Sequence, residues 1–198
     1  MDAVLASGNA GKLREFAQLF ADLDWRLQAQ SEFAVPAIAE TGTTFVENAI
    51  IKARHAALYA ARPALADDSG LMVDALDGAP GVYSARYAGV QASDHDNLCK
   101  LLDATRDLDD HARGCRFICV LVFMRAAEDP LPLIATGVWN GQLLRAPRGA
   151  NGFGYDPIFF APDQGCAAAE LPSATKNVVS HRGQAMRALR AALQATAR

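Results

Sequence analysis

The chain has 198 residues, is 51% hydrophobic and 21% charged, and carries a net charge of −3 at pH 7. That is enough apolar material to build a sizeable core, in one domain or in two tightly joined lobes. A mildly acidic chain without a basic stripe excludes a nucleic-acid polymer as partner, and no run is apolar enough to span a bilayer. Any bound anion must be held by a local cluster of cations and backbone amides.

The cysteines are Cys99, Cys115, Cys119 and Cys166, with no CxxC pair. Neither they nor the histidines follow a zinc spacing. Reduced, buried thiols are expected, with no catalytic cysteine. The N-terminus carries no basic leader followed by a long apolar core, so no signal peptide is expected. The expected location is the cytoplasm.

The first element is a strand, Ala3-Val4-Leu5-Ala6, followed by Ser7-Gly8-Asn9-Ala10-Gly11-Lys12. A helix comes next, with Leu13, Phe16, Phe20 and Leu23 on one face. Strand, glycine turn and helix start together read either as a phosphate-binding arrangement or as a plain strand-to-helix turn. Glycine lets backbone approach an anion, the first helical amides lack internal acceptors, and the helix dipole favours negative charge. Lys12 adds a full charge. The spacing is not that of a Walker A loop, which disfavours a kinase.

A second strand is predicted near Trp25 to Ala29, and Ser31 to Gly42 reads as irregular. Thr44 and Glu47 have capping-box spacing and open a second helix running toward Ala61. One face of it carries Asn48, Lys52, His55 and Tyr59, which reads either as a solvated face or as a row facing a site. A short strand, Ala64-Leu65-Ala66, then delivers Asp67-Asp68 to a Ser69-Gly70 turn, after which Leu71-Met72-Val73 continues extended. Gly78-Ala79-Pro80-Gly81 reads as a loop. Ser93-Asp94 starts a helix with Leu98, Leu101 and Leu102 inside.

Arg116 to Met124 reads as a central strand buried on both faces. Leu133 to Trp139 is a further strand, with Asn140-Gly141 as a hairpin turn and Gln142-Leu143-Leu144 returning. A glycine-rich loop, Arg148 to Pro157, precedes a short strand at Ile158-Phe159-Phe160. Ser180 caps a last helix whose stripe is Met186, Leu189 and Leu193. The sum is an α/β fold with a central mixed β-sheet flanked by helices, with no linker across residues 1–198.

Chemistry is expected at the acid pair. Carboxylates at a strand end can hold Mg²⁺ or activate a water, although turn acids also bind their own backbone. Glu40 joins as a metal ligand only if its loop folds over that pair. Phe153-Gly154-Tyr155-Asp156 places aromatics where a flat ring could stack, or where a loop is anchored in the core. Lys176, His181 and Arg182 put cations and donors near a helix start. That placement is unfavourable unless an anion or a carbonyl acceptor is near. The Asp107, Asp109, Asp110 and His111 cluster is expected to be an exposed loop.

In this order the chain carries SGNAGK (7–12), ETGTTFVENAIIKA (40–53), ADDSGL (66–71), GAPGVYSARY (78–87), GFGYDPIF (152–159) and SHRGQA (180–185). Together these resemble the inosine/xanthosine triphosphate pyrophosphatases, over almost the whole chain. The resemblance implies a two-lobed homodimeric α/β protein with the active-site cleft between lobes. It would require Mg²⁺ and convert a noncanonical purine nucleoside triphosphate (ITP, dITP or XTP) and water to the monophosphate and pyrophosphate. It assigns phosphate binding to Ser7, Gly8, Asn9, Ala10, Gly11, Lys12 and Lys52, and metal binding to Glu40 and Asp68, with Asp67 beside them. Asp68 would be the water-activating base. Ser69 would contact substrate, and Phe153, Gly154, Tyr155, Asp156, Lys176, His181 and Arg182 the nucleoside. Pro172-Ser173-Ala174-Thr175 departs from the acidic residues that relatives often carry before the lysine. Two other readings stay open: a catalytically silent nucleotide-binding regulator, and a pyrophosphatase for modified pyrimidine nucleotides.

Overall fold

Strand β1 (Asp2–Ala6) lies between β2 (Arg26–Ala29) and β3 (Ala64–Val73), parallel to both. The computed structural model describes residues 2–20 and 25–196; Leu23 of the predicted helix stripe lies outside the described residues. The remaining strands are β4 (Gly114–Met124), β5 (Leu133–Leu143), β6 (Phe159–Ala161) and β7 (Cys166–Ala167). They complete one mixed sheet in the order β2-β1-β3-β4-β5-β6-β7, with β5, β6 and β7 antiparallel. Helices α1 (Ala10–Leu19), α2 (Phe45–Ala60), α3 (Asp94–Ala104), α4 (Ser173–Val179) and α5 (His181–Thr196) accompany the strands. No described helix is long and apolar enough to cross a membrane.

The chain forms two compact units. Unit 1 is Met1–Asp68, Cys119–Gly137 and Arg182–Arg198; unit 2 is Ser69–Ile118 and Val138–His181. In unit 1 the period-two alternation of strands sorts side chains onto two faces. Ala3, Leu5, Leu65, Cys119, Leu121 and Phe123 form one core with Phe16 of α1 and Met186 and Leu189 of α5. Their neighbours Val4, Ala64, Ala66, Val120 and Val122 are also buried and alternate with them. The buried positions of α2 are small, including Ala49, Ala53, Ala56 and Ala57, so its backbone lies close to β1. Unit 2 has its own core, built on Leu71, Val73, Leu98, Leu101, Phe117, Trp139 and Phe159.

Helix starts follow the predicted caps. Thr44 and Ser93 each close a capping box, with Glu47 and Asp96 respectively.

Two predicted turns are strand interiors. Ser69-Gly70 does not end β3, which continues to Val73 because Leu71 and Val73 are core residues of unit 2. Asn140-Gly141 is not a hairpin, because β5 keeps its alternation through both residues to Leu143. Gly141 is small for another reason. A Cβ there would collide with the Phe159 ring and lie 2.5 Å from the Phe160 carbonyl oxygen. A strand glycine here marks close approach of neighbouring backbone, not reversal.

Candidate active site

Ser7 to Lys12, where phosphate binding is expected, run from the end of β1 into the first turn of α1. Asn9 caps α1, its Oδ1 accepting from the Lys12 amide at 3.0 Å, while the Asn9 amide donates to Ser7 Oγ at 3.2 Å. Ala10 and Gly11 open the helix, where amides have no acceptor within it. Ser7 is half-buried, and Gly8, Asn9 and Ala10 are exposed. The loop therefore presents backbone donors to solvent at the positive end of a helix dipole.

Lys12 forms an ion pair with Asp67. Asp67 is buried and faces the same side as Leu65, toward α1 and α5. Its second oxygen accepts from Cys119 Sγ at 3.1 Å and lies 3.4 Å from Arg182 Nε. Arg182 is buried as well, pairs with Glu15 and stacks over the Phe16 ring at 5.7 Å. Burial alone would raise the Asp67 pKa, but Lys12 and Arg182 overcome it and hold the carboxyl far below the usual range. The Cys119 thiol is pushed up by the same burial and by Asp67. Arg182 at a helix start, unfavourable by the dipole alone, is thus compensated by two carboxylates. Its counter-charge comes from the protein.

Asp68 points to the other face of β3, toward α2. Its Oδ1 is 2.7 Å from Lys52 Nζ, which also pairs with Glu40 Oε1 at 2.8 Å. The irregular loop does bring Glu40 to Asp68, with Lys52 between them. Asp68 Oδ2 is buried and has no hydrogen-bond partner among the described residues. Burial raises the Asp68 pKa against the pull of Lys52. Lys52 itself would be lowered by burial, but Asp68 and Glu40 raise it, so it stays charged.

The polar row on α2 is not uniformly solvated. Asn48 is buried and its Oδ1 accepts from the Gly42 amide at 2.8 Å. His55 Nε2 lies 2.9 Å from the Pro36 carbonyl oxygen, while Tyr59 is exposed and its ring sits 4.6 Å from that of His55.

In unit 2, Asp156 is buried and its Oδ2 pairs with Lys176 Nζ at 2.5 Å and accepts from the Phe153 amide at 2.9 Å. Lys176 also lies 5.5 Å from the centre of the half-buried Phe153 ring. Gly152, at φ +76°, leaves room for this pair, since a Cβ there would strike the Asp156 carboxylate and come within 3.1 Å of Lys176 Nζ. The Gly154 amide donates to Asp94 at 3.0 Å. Of the two aromatics, Tyr155 is the packing residue: it is buried and its hydroxyl donates to the Ser84 carbonyl at 2.9 Å. His181 is buried and its ring stacks nearly parallel to that of Phe117, with centroids 4.7 Å apart and planes at 11°. Ser69 is half-buried in β3.

Among the described residues, no group of three or more His, Cys, Asp or Glu side chains is gathered to hold a metal. Mg²⁺ does not require one, because it uses one or two carboxylates with waters and substrate phosphates. The buried, unpartnered Asp68 Oδ2 and the adjacent Glu40 fit that pattern.

Residues 3–192 match the Ham1 family model. This chain belongs to the Ham1 family. It is 59% identical to a dITP/XTP pyrophosphatase of Vibrio cholerae, over 96% of each chain. The solved structure of a HAM1 protein from Coxiella burnetii superposes with a TM-score of 0.90 at 53% identity, covering 98% of both chains. The Ham1 protein of Staphylococcus aureus gives 0.86 at 38% identity, covering 99% of this chain and 100% of that one. Glu15 and Cys119 lie outside every quoted motif, and Asn48, although within ETGTTFVENAIIKA and the polar row of α2, carries no assigned role there. The local signal for Glu15 is its helical spacing from Lys12.

Proposed function

We propose that this protein hydrolyses noncanonical purine nucleoside triphosphates, dITP, XTP and ITP, to the monophosphate and pyrophosphate. The V. cholerae relative is a dITP/XTP pyrophosphatase with which this chain shares 59% of its residues. The observation that carries the reading is the Glu40, Lys52 and Asp68 cluster around a buried carboxylate oxygen with no hydrogen-bond partner among the described residues.

The α1 amides, Lys12 and Lys52 take the phosphates. Glu40 and Asp68 would hold Mg²⁺. When bound, Mg²⁺ offsets the negative charge that gathers on the departing pyrophosphate. Asp68 orients a water and accepts its proton as the oxygen attacks phosphorus. The α–β phosphoanhydride bond breaks, and the electron pair leaves with pyrophosphate. No covalent intermediate is required. Asp67 keeps Lys12 and Arg182 in place. In this reading Phe153, Gly154, Asp156, Lys176 and His181 contact the nucleoside over the packed Tyr155, with Ser69 a further substrate contact, while Arg182 acts at the phosphate end through Asp67 and Lys12. A 6-oxo purine meets donors there that the 6-amino group of adenine cannot accept from, and a buried unpaired donor costs about 1–3 kcal/mol. A homodimer in the cytoplasm completes the reading.

The test is a substrate panel of dITP, XTP, ITP, dUTP, dATP and dGTP with Mg²⁺, assayed for pyrophosphate and for orthophosphate. Pyrophosphate from the 6-oxo purines dITP, XTP and ITP at rates far above the others supports the reading. Orthophosphate as first product, preference for dUTP, or binding without turnover would replace it.

A further inference from the structure

The loop that carries Glu40 has no ladder of its own, yet Glu40 must be placed to within a metal–ligand distance of Asp68. Three side chains of α2 meet this loop in sequence. Asn48 Oδ1 accepts from the Gly42 amide at 2.8 Å, Lys52 pairs with Glu40 at 2.8 Å, and His55 lies 2.9 Å from the Pro36 carbonyl oxygen. Their spacing of four and three residues puts them on one helix face. Lys52 cannot fix Glu40 by itself. Its stem is flexible, its ammonium is shared with Asp68, and an arriving triphosphate competes for it.

We infer that Asn48 is a positioning residue that sets Glu40 for metal binding, an inference that rests on the magnesium-assisted reading above. Asn48 is 0% exposed and its Nδ2 is buried without a hydrogen-bond partner among the described residues. An orphaned donor lowers stability, so an apolar side chain of the same shape would suit a purely structural position better. What the amide supplies is its Oδ1, bound to the backbone two residues beyond Glu40. Gly42 is seated tightly there. A Cβ at Gly42 would lie 2.5 Å from Glu47 Cβ, 2.8 Å from Asn48 Oδ1 and 3.1 Å from the Asn48 amide nitrogen. The loop therefore has one register against α2, and Asn48 defines it.

The test uses Mn²⁺ as probe, titrated without nucleotide and followed by the electron paramagnetic resonance signal of the free ion. Wild type, Glu40→Gln, Asn48→Ala, Asn48→Leu and Asn48→Asp are compared, with thermal unfolding of each. Asn48→Ala and Asn48→Leu should weaken Mn²⁺ binding tenfold or more, with Asn48→Leu unfolding no earlier than wild type. Asn48→Asp keeps the acceptor for Gly42 and should bind within threefold of wild type. A folded Asn48→Leu that binds Mn²⁺ like wild type overturns the inference while leaving the reaction intact. Failure of both Asn48→Ala and Asn48→Leu to fold also overturns it, because Asn48 would then be structural. If Glu40→Gln binds Mn²⁺ like wild type and dITP is still hydrolysed in excess chelator, the metal reading itself falls, and the inference with it.

Discussion

Asp67 and Asp68 are adjacent in β3 and face opposite ways. Asp67 meets Lys12, Arg182 and Cys119, while Asp68 meets Lys52. A strand alternates its side chains, so two neighbouring carboxylates cannot share one ion from the same side. The alternation divides their work. The inner acid is a fully compensated anchor, and the outer one keeps an oxygen open. Removing each should therefore have different consequences.

Asp68→Asn should lower kcat by about 10²–10⁴-fold, the usual contribution of a positioned general base. The amide oxygen can still accept from Lys52, so the fold should persist. Pyrophosphate release from dITP with saturating Mg²⁺ measures the first effect and thermal unfolding the second. Turnover near wild type would remove Asp68 from the chemistry.

At the start of α2, Thr44→Ala should cost about 1 kcal/mol by urea unfolding, the typical loss for an N-cap. Glu47 accepts from Thr43 and Thr44, and these bonds hold its carboxyl below the ordinary range. A depressed acid stabilises the fold above its unfolded pKa, and that contribution is lost as pH falls toward the folded value. Wild type should thus exceed Glu47→Gln in stability by a constant margin near neutral pH, and the margin should shrink below about pH 4.3, the ordinary Glu value. A margin that widens on acidification would contradict this sign.

Thiol accessibility gives an independent check on the cores. Cys99 is exposed, Cys166 is partly covered, and Cys115 and Cys119 are buried. Burial pushes the Cys115 thiol up to about 12 and Cys119 well above its usual value. Ellman's reagent should label Cys99 first, and Cys115 and Cys119 only on unfolding. Fast reaction of a third or fourth thiol in native buffer would contradict the packing around Asp67.

The strand, turn and helix of residues 3–19, the α2 cap and the apolar β4 were legible because each is a local pattern whose cause lies within a few residues. The partition of Asp67 from Asp68 was not. It depends on β3 continuing past Ser69, which Leu71 and Val73 decide by packing in unit 2. Asn140-Gly141 misled for the same reason: the dipeptide has turn chemistry, but the Phe159 ring beside Gly141 determines its use. Cys119 and Arg182 reach Asp67 from 52 and 115 residues away, and no spacing rule covers such distances. Asn48 was visible as one member of a polar row, though whether that row was solvated needed the loop in place.

Arg182→Ala should destabilise the protein by about 3–5 kcal/mol, the range found when one partner of a buried ion pair is removed. It would leave Asp67 buried beside Cys119 with Lys12 still paired to it, and would remove Arg182 from Glu15. Lys12 would then be drawn more firmly to Asp67 and away from phosphate, so KM for dITP should rise beyond what instability explains. Glu15→Gln, which keeps Arg182 on Asp67, should cost less in both respects. Urea unfolding separates the stability effect, and steady-state kinetics on the folded fraction separates the KM effect. Equal losses in Arg182→Ala and Glu15→Gln would mean that Asp67 does not organise this group, and Lys12 would have to be held by the loop alone.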